Sequence, residues 1–200
     1  MADERAEPAH PPEEHDPAIR IVEYDSSWPA TFEREATTIK RTLGSVAVRI
    51  DHVGSTAVPR MPAKPIIDIN VSVRDVEAID AYRQPLEALG YLFVPDPDPD
   101  FRDFHFFGKP ATRPRSFHIH VCQVDSLHEK RHLVVRDYLR TNANEAREYA
   151  SIKRSAAEQY PGDRLAYMAA KGPYIDALEQ RAITWYESRK ENFGNSQRFQ

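Results

Sequence analysis

A lone cysteine, Cys122, in a chain of 200 residues has nothing to pair with inside the molecule. An internal disulfide and a zinc framework built on cysteine pairs are therefore excluded, and a reducing, cytoplasmic setting is the default. Glycine is scarce, with 7 residues against 16 prolines, which rules out collagen-like and Gly/Ser-linker readings and points to rigid, extended connections. No run approaches the length of apolar chain that a membrane helix needs, and the first residues lack a charged segment followed by an apolar one. Neither membrane insertion nor secretion is expected. Charge of one sign is missing too: 27 Lys+Arg face 31 Asp+Glu, for a net −4. Six acids between Asp3 and Asp16 stand against Arg5 alone, so the rest of the chain is close to neutral. That gives no basic surface for a nucleic-acid polymer or an anionic membrane.

What remains is globular: 40% apolar, 29% charged and 10% aromatic residues, in a chain long enough for a real core. Residues 1–17 are rich in proline and charge without apolar periodicity and read as a disordered acidic tail. The polar stretch 188–200 reads as a frayed C-terminal tail, leaving a folded unit over 18–187.

Within it, Ile19–Tyr24 is strand-like, and Ser26 or Ser27 can cap a helix with Pro29 in its first turn. Phe32, Ala36, Ile39 and Leu43 recur at helical spacing up to Gly44. Strands are expected at 47–53, 66–73, 91–94, 104–107 and 117–124, and a helix over 76–89 ending at Gly90. From Leu127 the pattern is helical, broken near Thr141-Asn142 and at Tyr160-Pro161-Gly162-Asp163, which gives three C-terminal helices. The fold class is α+β, a mixed sheet with flanking helices. Asp96-Pro97-Asp98-Pro99-Asp100 lacks the glycine and distal Glu of an EF-hand and reads as a solvated hairpin connection. Cys122, inside a strand, reads as buried.

Chemistry gathers around two strands. His52-Val53-Gly54-Ser55 ends one strand in a Gly-Ser turn, where a backbone can approach a ligand closely and a hydroxyl and N–H can meet a phosphate oxygen. Asp68, Asn70 and Ser72 alternate on the next strand and share one face, so two oxygens are offered together as a hard cation requires. His118 and His120 alternate likewise and can converge with Asp68 from a neighbouring strand. They read either as ligands of a transition metal or as hydrogen-bonded core histidines. Lys64, Lys153 and Lys171, with Arg136 and Tyr167, supply cations and an aromatic that can face the sheet or solvent.

These segments resemble the GrpB family, a branch of the DNA-polymerase-beta-like nucleotidyltransferase superfold that occurs alone or fused to dephospho-coenzyme A kinase. The likeness is carried by IVEYDSSWPATFEREATTIKRTLG, HVGSTAVPRMPAKPIIDINV, FHIHV and VRDYLRTNANEAREYASIK, within residues 20–186. It implies that Gly54, Ser55 and Thr56 hold the phosphates of a nucleoside triphosphate, with Lys64, Lys153 and Lys171 offsetting their charge. Asp68, Asn70 and His120 become the catalytic candidates, and Asp68, Asn70, His118 and His120 the ligands of a divalent metal. Asn70 stands where the superfold has a second carboxylate, and the imidazoles suit Mg²⁺ poorly, so Mn²⁺ or Zn²⁺ is implied beside Mg²⁺. Arg60 replaces a glycine usual after Val-Pro in the family. The implied reaction is nucleotidyl transfer from a nucleoside triphosphate to a small acceptor; a catalytically silent nucleotide- or ligand-binding module and a protein-interaction domain are the alternatives.

Overall fold

The computed structural model describes residues 19–95, 104–111 and 114–196. Its centre is a five-stranded mixed sheet of β1 (Arg49–Val53), β2 (Ile67–Val73), β3 (Leu92–Val94), β4 (Phe104–Lys109) and β5 (Phe117–Gln123), in the order β1-β2-β5-β4-β3. Only β2 and β5 run parallel; the other neighbours are antiparallel. The parallel pair needs a long crossover, and the chain between its strands makes a helix and a hairpin before returning.

Alternation along the strands sorts side chains onto two unlike faces. Ile67, Ile69, Val71 and Val73 of β2 join Ile119 and Val121 of β5 in the main apolar core. Over that face lies α1 (Trp28–Leu43), which buries Trp28, Phe32, Ile39 and Leu43 along one stripe, together with α2 (Arg83–Ala88), which buries Leu86. Burial of each such side chain contributes about 1.5–3 kcal/mol. The opposite face carries the even-numbered polar residues and is covered by α3 (Leu127–Thr141), followed by α4 (Ala143–Gln159) and α5 (Arg164–Ser196). No helix among the described residues is long and apolar enough to cross a membrane.

Several expected boundaries hold, including Gly44 and Gly90 at positive φ after their helices and the breaks at Asn142 and Tyr160. Others shift for identifiable reasons. Ile19–Tyr24 forms only one bridge, Val22 with Ala63, because Pro62 and Pro65 leave its partner little chain that can pair. The expected helix 76–89 is a 3-10 turn at Ile79–Ala81 and then α2, since Pro85 has no N–H and fits only near a helix start. Neither Ser26 nor Ser27 caps α1: Ser27 is already helical, and its N–H donates to Asp25 Oδ1 at 2.7 Å. At the C-terminal side α5 runs from Arg164 to Ser196, past the expected boundary at 187. The tail 1–17 and the Asp96–Asp100 run lie outside the described residues.

Candidate active site on the polar face of the sheet

The register of the parallel pair builds a ladder of three rungs: Asp68 beside His118, Asn70 beside His120, and Ser72 beside Cys122. All six side chains leave the sheet on the side away from the apolar core. A polar face buried under helices must satisfy its hydrogen-bonding groups, and the three rungs do so to different degrees.

The Ser72 rung is complete. Glu129, 2% exposed, accepts from the Ser72 hydroxyl, from Asp125 N–H at 2.9 Å and from Arg49 at 2.9 Å. Its own N–H donates to Ser126 Oγ at 3.2 Å, so Ser126 caps α3. Cys122 is fully buried, and burial pushes its thiol up to about 12, which removes it as a nucleophile.

The Asp68 rung lies under the Gly-Ser turn. His118 Nδ1 is 3.1 Å from Asp68 Oδ1, and both side chains remain partly exposed, at 23% and 27%. Gly54 adopts φ +69°, and a Cβ there would stand 2.4 Å from Asp68 Oδ2. The missing side chain is thus what lets the turn close over the carboxylate. Ser55 opens a 3-10 turn, Ser55–Ala57, and its hydroxyl accepts from Lys153 Nζ at 2.8 Å. Lys153 also donates to Pro62 O at 2.7 Å. Thr56 is buried: its hydroxyl donates to Ile66 O at 3.3 Å, so it accepts from His52 Nε2 at 3.0 Å, which fixes the tautomer of that neutral ring. Burial holds His52 down at about 4. Thr56 therefore braces the turn from behind.

Three lysines gather beside Asp68. Lys64 and Lys171 lie 4.8 and 5.4 Å from the centroid of the Tyr167 ring, and Lys153 lies 4.9 Å from that of Tyr149. Lys153 is only 4% exposed. Burial pushes its ammonium down to about 7, and the neighbouring Lys171 adds to the shift while Asp68 opposes it. Lys171 falls to about 8, again chiefly through burial and then the repulsion of Lys64. Cations outnumber carboxylates here, which is an environment for an anion. Arg136 is elsewhere: it binds Asp137 at 2.7 Å and His52 O at 3.1 Å, and it lines a cavity of about 280 Å³ with Phe32, Asp51, His52 and Arg140.

Residues 18–181 match the sequence profile described as GrpB protein. The chain belongs to the GrpB family. Its relatives include UPF0157 protein YqkA of Bacillus subtilis, 33% identical over 88% of this chain and 51% of that protein. UPF0157 protein BH1888 of Halalkalibacterium halodurans is 36% identical over 84% of each. The chain therefore spans about half the length of the Bacillus relative and most of the other. The crystal structure of GrpB from Enterococcus faecalis superposes with a TM-score of 0.76 at 33% identity, over 84% of this chain and 99% of that one. Within this GrpB domain Arg60 takes φ +65°, so the arginine occupies a left-handed turn that glycine fits without strain.

The divalent ion implied by the nucleotidyltransferase resemblance finds one carboxylate, Asp68, partly exposed beside the Gly-Ser turn. Such an ion can be held by one carboxylate plus ligand phosphates, so the donor set fits an ion that arrives with a nucleotide. Asn70 is fully buried, and among the described residues neither of its amide atoms has a hydrogen-bond partner. Among the described residues, the ligand atoms of His120 do not form a close group with those of Asp68 and His118. His120 meets two histidines that the sequence reading passed over, His128 and His132, whose signal was the segment His128-Glu129-Lys130-Arg131-His132 at the start of α3.

Proposed function

We propose that this GrpB domain binds the phosphates of a nucleoside triphosphate over the Asp68 rung, in the cytoplasm. The observation that carries this reading is the gathering of Lys64, Lys153 and Lys171 around a single carboxylate, next to a glycine-serine turn. Lys153 and Lys171 gain most from an anion, because burial has left them poorly solvated and an incoming phosphate would restore their charge. Ser55 would turn its hydroxyl from Lys153 to a phosphate oxygen. A divalent ion, Mg²⁺ or Mn²⁺, bound by Asp68 and the phosphates would neutralise their remaining charge.

Nucleotidyl transfer is the second reading, favoured by the position of Asp68 against the Gly54 backbone and its partial exposure. An acceptor oxygen would attack the α-phosphorus while the bond to the bridging oxygen breaks and pyrophosphate leaves, with His118 placed to take the acceptor proton. The absence of a second carboxylate at Asn70 favours binding alone. Titration calorimetry with ATP, GTP, CTP and UTP, with and without Mg²⁺ or Mn²⁺, tests the site. Binding that weakens at least tenfold in Lys171→Ala supports it, and no heat with any nucleotide sinks it. Pyrophosphate release with a panel of small acceptors then decides between transfer and binding.

A further inference from the structure

The middle rung of the sheet carries a separate chemistry. One ligating atom from each of His120, His128 and His132 can be chosen so that all three lie within 4.8 Å of one another. The ring centroids are 4.7 Å apart for His120 and His132, and 4.5 Å for His128 and His132. His128 and His132 stand at i and i+4 on α3, one above the other, and His120 projects from β5 beneath them. This spacing of two histidines on a helix is the one that helical zinc sites use, with a third ligand from elsewhere in the fold.

Hydrogen bonding leaves this rung unfinished. His120 Nδ1, His128 Nε2, His132 Nδ1 and both amide atoms of Asn70 are buried, with no partner among the described residues. Asn70 is the direct register partner of His120 and leaves the sheet on the same side. A buried polar group left unpaired keeps its full desolvation penalty, so five such atoms on neighbouring residues require an explanation. Packing alone does not supply it, since phenylalanine or leucine would fill the same space without the penalty.

We propose that His120, His128 and His132 bind a divalent transition-metal ion, zinc by the chemistry of the donors, on the middle rung of the polar sheet face. Three imidazoles suit Zn²⁺, Co²⁺ or Ni²⁺ and select against Mg²⁺. The rings need only small side-chain rotations, because tetrahedral coordination at about 2.0–2.1 Å places nitrogens about 3.3 Å apart. The Asn70 amide is the polar neighbour available to the fourth position or to a water on the metal. Glu129 does not share the site, for Ser72, Arg49 and Asp125 occupy its carboxylate. The segment therefore lacks the general base of a zinc protease, and the site binds metal without activating water for peptide cleavage. This inference stands independently of the nucleotide reading.

The test is a titration of the full chain with Co²⁺, reading visible d–d absorption, followed by displacement with Zn²⁺. One equivalent is expected to bind, and His128→Ala and His132→Ala are each expected to weaken binding at least tenfold. The double change His10→Ala, His15→Ala should leave it unchanged. Because His128 stacks on Phe104 and its removal can unfold the chain, long-range ¹H–¹⁵N spectra of the unaltered protein provide a second readout. The ring nitrogens of His120, His128 and His132 should shift together at one equivalent of Zn²⁺. Absence of stoichiometric binding, binding that survives both alanine variants, or unchanged signals from these three rings would overturn the proposal.

Discussion

Gly54 rests against the carboxylate of Asp68 so closely that a Cβ on the glycine would stand 2.4 Å from Oδ2. The turn that closes β1 and the acid that opens the polar ladder on β2 are thereby one structural unit. Gly54 also needs φ +69°, where a side chain is strained even without a neighbour. Gly54→Ala is expected to cost about 2–4 kcal/mol in urea unfolding, combining the left-handed penalty with displacement of Asp68. A loss below about 1 kcal/mol would mean that the turn does not bear on Asp68.

Arg60 provides the opposite case a few residues later. Its φ of +65° is adopted by an exposed arginine in open surroundings. Arg60→Gly should therefore stabilise the domain by about 0.5–1 kcal/mol, the relief of strain being partly offset by the freer unfolded chain. Thermal unfolding of the two proteins side by side checks the sign.

Lys153 sets a pH dependence. Its ammonium titrates near 7 in the folded chain against 10.5 ordinarily, so between these values the unfolded chain binds more protons and stability rises with pH. Lys153→Met should flatten that rise between pH 7 and 10, measured by urea midpoints across the range. A slope equal to that of the unaltered protein would show that Lys153 is not desolvated.

Anion binding should run the other way. Lys153 and Lys171 carry charge fully only below about 7 and 8, so nucleotide affinity measured by calorimetry should fall as pH rises from 6.5 to 9. An affinity independent of pH would remove both lysines from the phosphate site.

Glu129 and Ser126 separate a buried network from a helix cap. Ser126→Ala should cost about 1 kcal/mol through the lost N-cap. Glu129→Ala should cost about 3 kcal/mol or more, because Ser72 and Arg49 lose a buried acceptor. Equal losses would show that Glu129 acts only at the helix start.

Most of the architecture was legible in one dimension because it rests on local rules. Alternation in Ile66–Val73 and Phe117–Val124 marked both central strands, and it correctly placed Asp68, Asn70 and Ser72 on one face. Helical spacing in Phe32, Ile39 and Leu43, with Gly44 after them, marked α1. The failures were equally local: prolines flanking Ala63 reduced a strand to a bridge, and Pro85 shortened a helix.

The sequence by itself determined an α+β chain with one buried thiol, no apolar run long enough to cross a membrane, and a polar row facing away from the core. Only the tertiary structure decided which polar residues meet. The parallel register sets Asp68 beside His118 and Asn70 beside His120, and α3 then brings His128 and His132 to His120 on the second rung. Residues 120 and 128 become neighbours because a strand ends and a helix folds back across it, and α4 and α5 bring Lys153 and Lys171 to Asp68 across even longer gaps. Periodicity fixes the direction in which a side chain points; the packing of separate elements fixes what it points at.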